Sequence, residues 1–344
     1  MTGKPDSADS FPGISEVKTV IRNALYPAPD RLGEIIGRLL ENSGKMLRPR
    51  LLLACAALAG CGKKLKSNLL FESAAAVELI HTASLIHDDI IDEAASRRGR
   101  ETLHLSWGPG RATHTGDLLL ARAFALLSRP GSNKNLLLLL ARTVAHLCRG
   151  EIYQMDQRYC WELTERQYYQ INYYKTAHFM AACCEAGGWL AGASSPCRRA
   201  LWHYGLKLGQ AFQIVDDILD YTGCPDRLGK PVGNDLEQGR TTLPLIHLFE
   251  TQKYYLKMVR MLPANTAPPR ELQRILREAV KINGSLDYAI AAARKKQAEA
   301  VKALLHLPER PERQMLADIA AALTRRLSGS PDDWQPVDPG VKLS

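Results

Sequence analysis

Two acidic triplets in otherwise apolar runs constrain the fold of this chain more than any other feature. The first lies in HTASLIHDDIIDEAASRRG, residues 81–99, and the second repeats its spacing in GQAFQIVDDILDY, residues 209–221. The six acids are Asp88, Asp89, Asp92, Asp216, Asp217 and Asp220. Residues four apart share a helix face with Cβ atoms about 5–6 Å apart, so the first and third acids of each triplet repel unless a cation lies between them. We therefore predict two buried helices whose acidic faces hold a hard metal ion.

Apolar residues recur at helical spacing along most of the chain, and Pro, Gly and Ser separate the periodic segments. The predicted helices cover residues 14–25, 32–40, 67–93, 111–127, 135–159, 165–190, 198–221, 270–280, 288–305 and 314–327. No segment shows the alternation of a strand. We expect an all-α fold, with one helical-bundle domain over residues 14–327 around a deep central cavity, a disordered N-terminus over residues 1–13 and a flexible tail over residues 328–344.

The charge balance indicates an anionic partner. Lys and Arg outnumber Asp and Glu by 45 to 36, which gives a formal charge of +9. The basic residues are spread along the chain and do not form a stripe interleaved with aromatics, which argues against nucleic acid. We favour a phosphorylated small molecule, with transient contact to a membrane surface as a secondary interaction.

Cysteine usage and hydropathy together predict a cytoplasmic protein. The eight Cys residues include no CxxC pair, which favours reduced thiols in a cytosol. The polar start MTGKPDSADSFPG lacks the apolar core of a signal peptide, and the longest apolar stretch, residues 51–62, is shorter than the ~20 residues that span a bilayer.

Basic residues lie where they could bind a diphosphate. In GKMLRP, Pro49 suits the first turn of a helix, so Lys45 and Arg48 precede a helix N-terminus, where unpaired amides also attract anions. Arg97 and Arg98 follow the first acidic triplet, and guanidinium groups match phosphate oxygens. Taken alone, GKMLRP could equally be a solvated basic loop.

The Gly- and Pro-rich segment that follows the second triplet predicts a lid. It begins at Tyr221 and carries Lys230, Asp235 and Arg240, charges suited to closing over an anionic ligand.

The acids and cations together predict ionisation of a diphosphate ester at carbon. Mg²⁺ takes oxygen ligands and commonly uses one or two carboxylates together with substrate phosphates. Two facing acidic clusters suit a metal-bridged diphosphate, and the surrounding charge stabilises the departing group. No Ser/His/Asp or Cys/His arrangement suggests a protein nucleophile.

Five motifs, in order, resemble those of the trans-isoprenyl diphosphate synthases, also called polyprenyl synthetases. They are GKMLRP, HDDIIDEAASRRG, KTA, FQIVDDILDYTG and LGKPVGNDLEQGRTTLP, and the resemblance covers residues 32–327. It implies an isoprenoid-synthase fold and three Mg²⁺ ions held by the six acids against an allylic diphosphate, with Asp88 and Asp216 mattering most. The implied mechanism is loss of diphosphate to an allylic cation, attack by the isopentenyl double bond, and proton loss to the released diphosphate.

The same resemblance assigns the cations to two substrates. The residues implied to bind isopentenyl diphosphate are Lys45, Arg48, His81 and Arg98, and those implied to bind the allylic diphosphate are Arg97, Lys175 and Lys230, with Thr176 and Gln213 lining the site. Arg97, Lys175 and Lys230 join the first acidic triplet as the catalytic set. Arg240 stands where the family often has Lys, so we expect a retained phosphate contact.

Residues before the first acids are expected to set product length. Ala83 and Ser84, one turn before Asp88, are small and would leave a tunnel open, whereas Ile80 and Val77 would form its deeper wall or floor. This predicts a product of C30 or more, most like the heptaprenyl class. The alternative is that Ala83 and Ser84 only permit close helix packing.

Other functions remain open at this point. A geranylgeranyl or farnesyl diphosphate synthase would share the catalytic residues and differ in tunnel depth. A class I terpene cyclase needs no isopentenyl site such as GKMLRP with RRG, and a non-catalytic subunit would be expected to lose an acidic cluster. We expect a homodimer, or a heteromer with a small partner subunit.

Overall fold

The structure, a computed structural model, describes residues 11–25, 30–41, 44–60, 68–129, 133–223, 233–325 and 327. In chain order the helices are α1 (Ile14–Leu25), α2 (Asp30–Glu41), α3 (Leu47–Ala59), α4 (Asn68–Ile91), α5 (Leu103–Trp107), α6 (Pro109–Leu127), α7 (Lys134–Asp156), α8 (Glu165–Asn172), α9 (His178–Leu190), α10 (Ser195–Thr222), α11 (Asn234–Glu237), α12 (Leu243–Thr251), α13 (Lys253–Arg260), α14 (Arg270–Ile282), α15 (Ser285–Leu304) and α16 (Pro311–Arg325). The predicted all-α fold is confirmed.

The long helices pack around α4 and α10, which carry the two acidic triplets. Helix α4 lies along α6, and α10 packs against both α9 and α15. Helices α9 and α10 approach closely because Gly205 and Gly209 have no side chain. A Cβ at Gly205 would lie 2.6 Å from the carbonyl oxygen of Met180, and one at Gly209 would lie 2.6 Å from Cα of Ala177. This approach brings the acidic end of α10 beside the segment that precedes α9.

Helix α4 is long and apolar enough to cross a membrane, by length and composition alone. Of its most apolar window, 67% is buried inside the protein. Burial on this scale is typical of a core helix, since a helix that is apolar on all sides needs packing partners all round.

The structure differs from the sequence-based expectation in several places, and helices α5, α11, α12 and α13 were not predicted. A short antiparallel hairpin pairs β1 (Ser96–Arg97) with β2 (Arg100–Glu101), where no strand was predicted. Residues 173–177 form a π-helical segment within the single helix predicted over residues 165–190. Phe11 is only 3% exposed, so it belongs to the core although it lies in the segment predicted to be disordered. Residues 1–10 and 328–344 lie outside the described residues.

Candidate active site

The first acidic triplet lies at the C-terminal end of α4. The helix stops here because Glu93 takes a φ of 49°, while the amide of Asp92 still donates to the carbonyl of Asp88 at 2.9 Å. Asp89 is buried, whereas Asp88 and Asp92 are partly exposed. The three carboxylates therefore have different surroundings although they share one helix end.

Asp89 is paired with Arg97. The Nε of Arg97 donates to both carboxylate oxygens, at 2.7 and 2.9 Å. Burial raises the pKa of Asp89, and the adjacent Arg97 lowers it again in part. With both oxygens engaged, Asp89 positions Arg97 at the mouth of the site, and a direct metal contact by Asp89 stays a prediction.

Asp92 is held by two arginines from distant segments. Its Oδ1 accepts from Nη2 of Arg158 at 2.6 Å, and its Oδ2 accepts from Nη2 of Arg240 at 2.6 Å. Burial alone would lower the pKa of Arg240, but the carboxylates of Asp235 and Asp92 outweigh it and raise that pKa. The sequence reasoning included Arg240 and missed Arg158, which directly follows α7 and belongs to none of the five motifs.

Asp88 faces the predicted cation Lys175. Burial raises the pKa of Asp88 to about 6, a rise that Lys175 opposes and the carboxylate of Glu151 supports. The Nζ of Lys175 donates to Glu151 at 2.9 Å and to the side-chain oxygen of Gln154 at 3.2 Å. The run GEIYQMDQ, residues 150–157 at the end of α7, therefore orients a site residue.

The π-helical segment sets the position of Lys175 and Thr176. Such a segment shifts the register of the residues that follow it relative to an α-helix. Gly150 makes room for it, because a Cβ there would lie 2.8 Å from Cβ of Tyr174 and 3.0 Å from the amide nitrogen of Lys175. Thr176 in turn donates to the side-chain oxygen of Gln213 at 2.8 Å, as expected for two residues that line one site.

Asp217 lies within a buried hydrogen-bond network. Its oxygens accept from the hydroxyl of Tyr168 at 2.6 Å and from the side-chain amide of Gln213 at 2.9 Å. Burial raises the pKa of Asp217 well above its usual range, with a further contribution from Asp235, while the two hydrogen bonds oppose the rise. Tyr168 was missed by the sequence analysis, since a tyrosine in YYQINYYKTA carries no distinguishing signal.

Asp220 fixes the first described part of the predicted lid. It is 1% exposed, and its two oxygens accept from the amides of Asn234 and Asp235 at 3.2 Å each, at the start of α11. Asp216, by contrast, is partly exposed. Asp220 therefore anchors the segment that carries Arg240. Lys230 lies outside the described residues.

These environments bear on the predicted metal site. Within the described ranges, no three acidic, His or Cys side chains converge closely enough to hold an ion by themselves. Mg²⁺ commonly takes one or two carboxylates and completes its shell with phosphate oxygens and water. Asp88, Asp92 and Asp216 are the partly exposed acids of the two triplets, and the metal contacts of all six acids stay predictions.

A cavity of about 260 Å³ lies beside α4, and cationic side chains contribute to its lining. Polar residues from the hairpin, from α4 and from the start of GKMLRP line its mouth: Gly44, Glu78, His81, Asp89, Arg97 and Arg98. Burial lowers the pKa of His81 well below its usual range, and the nearby Arg48, Arg98 and Arg97 lower it further. His81 is therefore neutral at pH 7 and can donate one N–H.

Glu78 pairs electrostatically with the cations of this cavity. Burial raises its pKa, and Arg48 and Arg98 oppose the rise. The Nε of Arg48 and Oε2 of Glu78 are buried and have no hydrogen-bond partner within the described residues, so this pocket has polar capacity for a ligand. Lys45 is exposed at the edge of the same loop. The sequence offered one signal for Glu78, an acid in an apolar run less than one turn before His81.

The two arginines of the hairpin, Arg97 and Arg98, contact different residues. Arg98 and Gly99 have φ values of 54° and 73°, which produce a tight turn. Arg97 turns back to Asp89, whereas the guanidinium of Arg98 lies against Gly44, where any Cβ would overlap it. The two arginines therefore have different partners although both line the same cavity.

The expected chain-length residues lie on a different face of α4 from this cavity. Val77, Ile80 and Ala83 are fully buried, and the hydroxyl of Ser84 donates to the carbonyl of His81 at 2.9 Å. The cavity lining uses other α4 residues, among them Leu79 and Ile86. The role of the four residues in chain length stays a prediction.

Comparison with known proteins gives one consistent answer. The family model for polyprenyl synthetase matches residues 29–279. Heptaprenyl diphosphate synthase component 2 of Geobacillus stearothermophilus is 34% identical over 91% of this chain and 95% of its own length. Geranylgeranyl diphosphate synthase of Methanosarcina mazei is 34% identical over 87% and 90%. The crystal structure of polyprenyl synthase from Caulobacter crescentus, complexed with calcium and isoprenyl diphosphate, superposes with a TM-score of 0.85 at 32% identity, over 94% of this chain and 99% of that one. This chain belongs to the polyprenyl synthetase family and is a prenyltransferase.

Proposed function

We propose that this prenyltransferase condenses isopentenyl diphosphate with an allylic diphosphate to form an all-trans polyprenyl diphosphate of C30 or more. The observation that carries the proposal is the presence of two groups of cations near the C-terminal end of α4: Arg97 and Arg98 line the cavity with His81, whereas Lys175 lies outside that lining, paired with Glu151 and near Asp88. One end of α4 thereby serves two separate cationic sets, as a reaction between two diphosphates requires and a one-substrate cyclase does not.

In this proposal the pocket of Arg48, His81 and Arg98 binds isopentenyl diphosphate. The guanidinium groups provide charge, and neutral His81 donates a hydrogen bond to a phosphate oxygen. Lys175, which lies outside the lining of that cavity, and Arg97, which lies at the cavity beside Asp89, bind the allylic diphosphate. Glu151 and Asp89 orient these two cations before substrate arrives, so little reorganisation is needed.

Asp88 and Asp216 would hold Mg²⁺ against the allylic diphosphate. A divalent cation bound there supplies positive charge that stabilises the departing diphosphate. The oxygen donors of both triplets fit this ion, and a set of three ions remains part of the proposal. The buried network around Asp217 keeps Gln213 and Thr176 in place and limits access of water to the allylic carbon.

The long product is proposed from the small side chains before Asp88. Ala83 and Ser84 present no aromatic barrier, and Ser84 has its hydroxyl bonded within its own helix. A relative that forms heptaprenyl diphosphate supports the proposal, whereas the geranylgeranyl synthase relative supports a shorter product as the second candidate.

Sizing the products made from farnesyl and isopentenyl diphosphates tests this directly. A terminal product of C20 would refute the long-chain proposal. The variants Ala83→Phe and Ser84→Phe should shorten the product while still forming C20, which shows that the reaction site is intact. Unchanged product lengths in both variants would show that Ala83 and Ser84 do not line the tunnel.

A partner subunit is proposed at the exposed face of α7. Side chains there follow alternating steps of three and four residues: Leu138, Ala141, Ala145, Cys148, Ile152 and Met155. This is the spacing of a helix-packing seam, and Ile152 is 60% exposed. We propose a homodimer through this seam. The relative named component 2 makes a small partner subunit the alternative.

Measuring the mass in solution decides between these assemblies. The variant Ile152→Glu should convert a dimer to monomers, whereas Ile282→Glu, at a position 76% exposed outside the seam, should not. A monomeric unmodified chain that is inactive alone would favour the heteromer. We further propose a cytoplasmic enzyme that contacts a membrane surface transiently to release its product, consistent with the charge of +9.

A further inference from the structure

Asp92, the third acid of the first triplet, has both carboxylate oxygens engaged by arginines. Arg158 donates to one oxygen and Arg240 to the other, each at 2.6 Å. We call these three residues the Asp92 clasp. Hydrogen bonds between ionised partners at this length are among the strongest in proteins, and neither arginine comes from the helix that carries Asp92.

The two arginines are held together by the backbone that carries them. The amide of Tyr159, next to Arg158, donates to the carbonyl of Gly239, next to Arg240, at 2.7 Å. Gly239 has a φ of 69°, and a Cβ there would overlap the ring of Tyr159. The segment after α7 and the segment after α11 therefore meet at a fixed geometry, so the backbone itself brings Arg158 and Arg240 together.

Each guanidinium retains unused donor capacity. An arginine carries five N–H donors, and one Nη2 of each residue is used on Asp92. The Nε atoms of Arg158 and Arg240 are buried with no hydrogen-bond partner within the described ranges. A second contact of Arg240, to Asp235, is a longer one of 3.6 Å. Unsatisfied buried donors of this kind can accept a further hydrogen-bonding partner, and an anion suits their charge.

We propose that the Asp92 clasp is a switch that couples diphosphate binding to cation binding. While Arg158 and Arg240 hold Asp92, both of its oxygens are engaged and are not available as metal ligands. A bound diphosphate accepts the arginine donors instead, and Asp92 is released to the cation. Arg158 is thus a binding residue for the allylic diphosphate, and none of the five motifs contains it.

The clasp predicts a conditional role for Asp92 that differs from the role of Asp88. Binding of Mn²⁺, used as a probe for Mg²⁺, can be measured by electron paramagnetic resonance with and without inorganic diphosphate. Asp92→Asn should change Mn²⁺ affinity less than about twofold without diphosphate and weaken it by tenfold or more, about 1.4 kcal/mol, with diphosphate. Asp88→Asn should weaken Mn²⁺ binding under both conditions.

Two outcomes of that measurement overturn the proposal. If Asp92→Asn weakens Mn²⁺ binding tenfold already without diphosphate, Asp92 is a ligand from the start. If it has no effect under either condition, Asp92 is never released. In the double variant with Arg158→Met and Arg240→Met, the effect of Asp92→Asn should appear without diphosphate.

A second measurement needs no metal. Calorimetric titration of inorganic diphosphate in the presence of EDTA should show binding weakened by about tenfold in Arg158→Met. The control Arg166→Met removes the same charge from an exposed position on α8 and should change affinity less than about twofold. Equal effects in the two variants would refute a direct contact by Arg158. Circular dichroism checks that both variants are folded.

This inference rests on the diphosphate chemistry of the proposed function, but its failure is distinguishable. The binding tests use inorganic diphosphate and involve no turnover, so they report on the clasp even if product length or partner subunit proves different.

Discussion

Replacing Gly44 by alanine should impair binding of isopentenyl diphosphate and spare the other substrate. A Cβ at position 44 would overlap the guanidinium of Arg98. The overlapped atoms are the far end of a flexible, exposed side chain, so Arg98 moves and the backbone does not. Gly44 is not among the residues with positive φ, so alanine fits the local conformation.

The magnitude follows from the interaction that is displaced. A hydrogen bond to a charged group contributes about 1.5–3 kcal/mol, so loss of the contact between Arg98 and phosphate should raise KM for isopentenyl diphosphate about 10- to 150-fold. The free energy of unfolding should change by less than about 1 kcal/mol, because alanine also restricts the unfolded chain.

Steady-state kinetics with each substrate varied in turn provide the assay. KM for farnesyl diphosphate should stay within about twofold, since Arg97 remains paired with Asp89. Gly110→Ala is the matched control, because a Cβ at Gly110 meets nothing within 4 Å. An unchanged KM for isopentenyl diphosphate, or an equal rise for both substrates, would refute the reasoning that separates the two pockets.

Three further predictions concern the acidic triplets. Tyr168→Phe removes the buried 2.6 Å hydrogen bond to Asp217. Urea denaturation should show a free energy of unfolding lower by about 1.5–3 kcal/mol. A loss below about 0.5 kcal/mol, which is typical of a surface substitution, would contradict this. Burial raises the pKa of Asp88 from 3.8 to about 6, so in EDTA its folded form binds the proton more tightly than its unfolded form. The free energy of unfolding should therefore fall by at most about 3 kcal/mol as the pH rises through this window. The difference in free energy of unfolding between the unmodified chain and Asp88→Asn should grow over the same range. Asp88→Ala should abolish turnover with the fold retained by circular dichroism, and substantial residual activity with magnesium would contradict its assigned role.

Local sequence patterns were sufficient for most of the longer helices. The apolar period of a helix is written within a few residues, so α1 and α10 were predicted within about three residues of their observed ends. The KTA motif likewise located Lys175 and Thr176. It did not indicate the π-helical turn, which depends on how closely Gly150 of α7 lets another segment approach.

The charge pairing of the site was decided by the tertiary structure alone. Arg158 and Arg240 lie 66 and 148 residues from Asp92 in the chain, and no local pattern records that they meet at its two oxygens. The sequence by itself determined a bundle of helices, two acidic ends and a family resemblance, because periodicity and motif order are local information. Tertiary structure decided which acid is paired, which is buried and which stays open to a ligand, because electrostatic partners are set by distance through space.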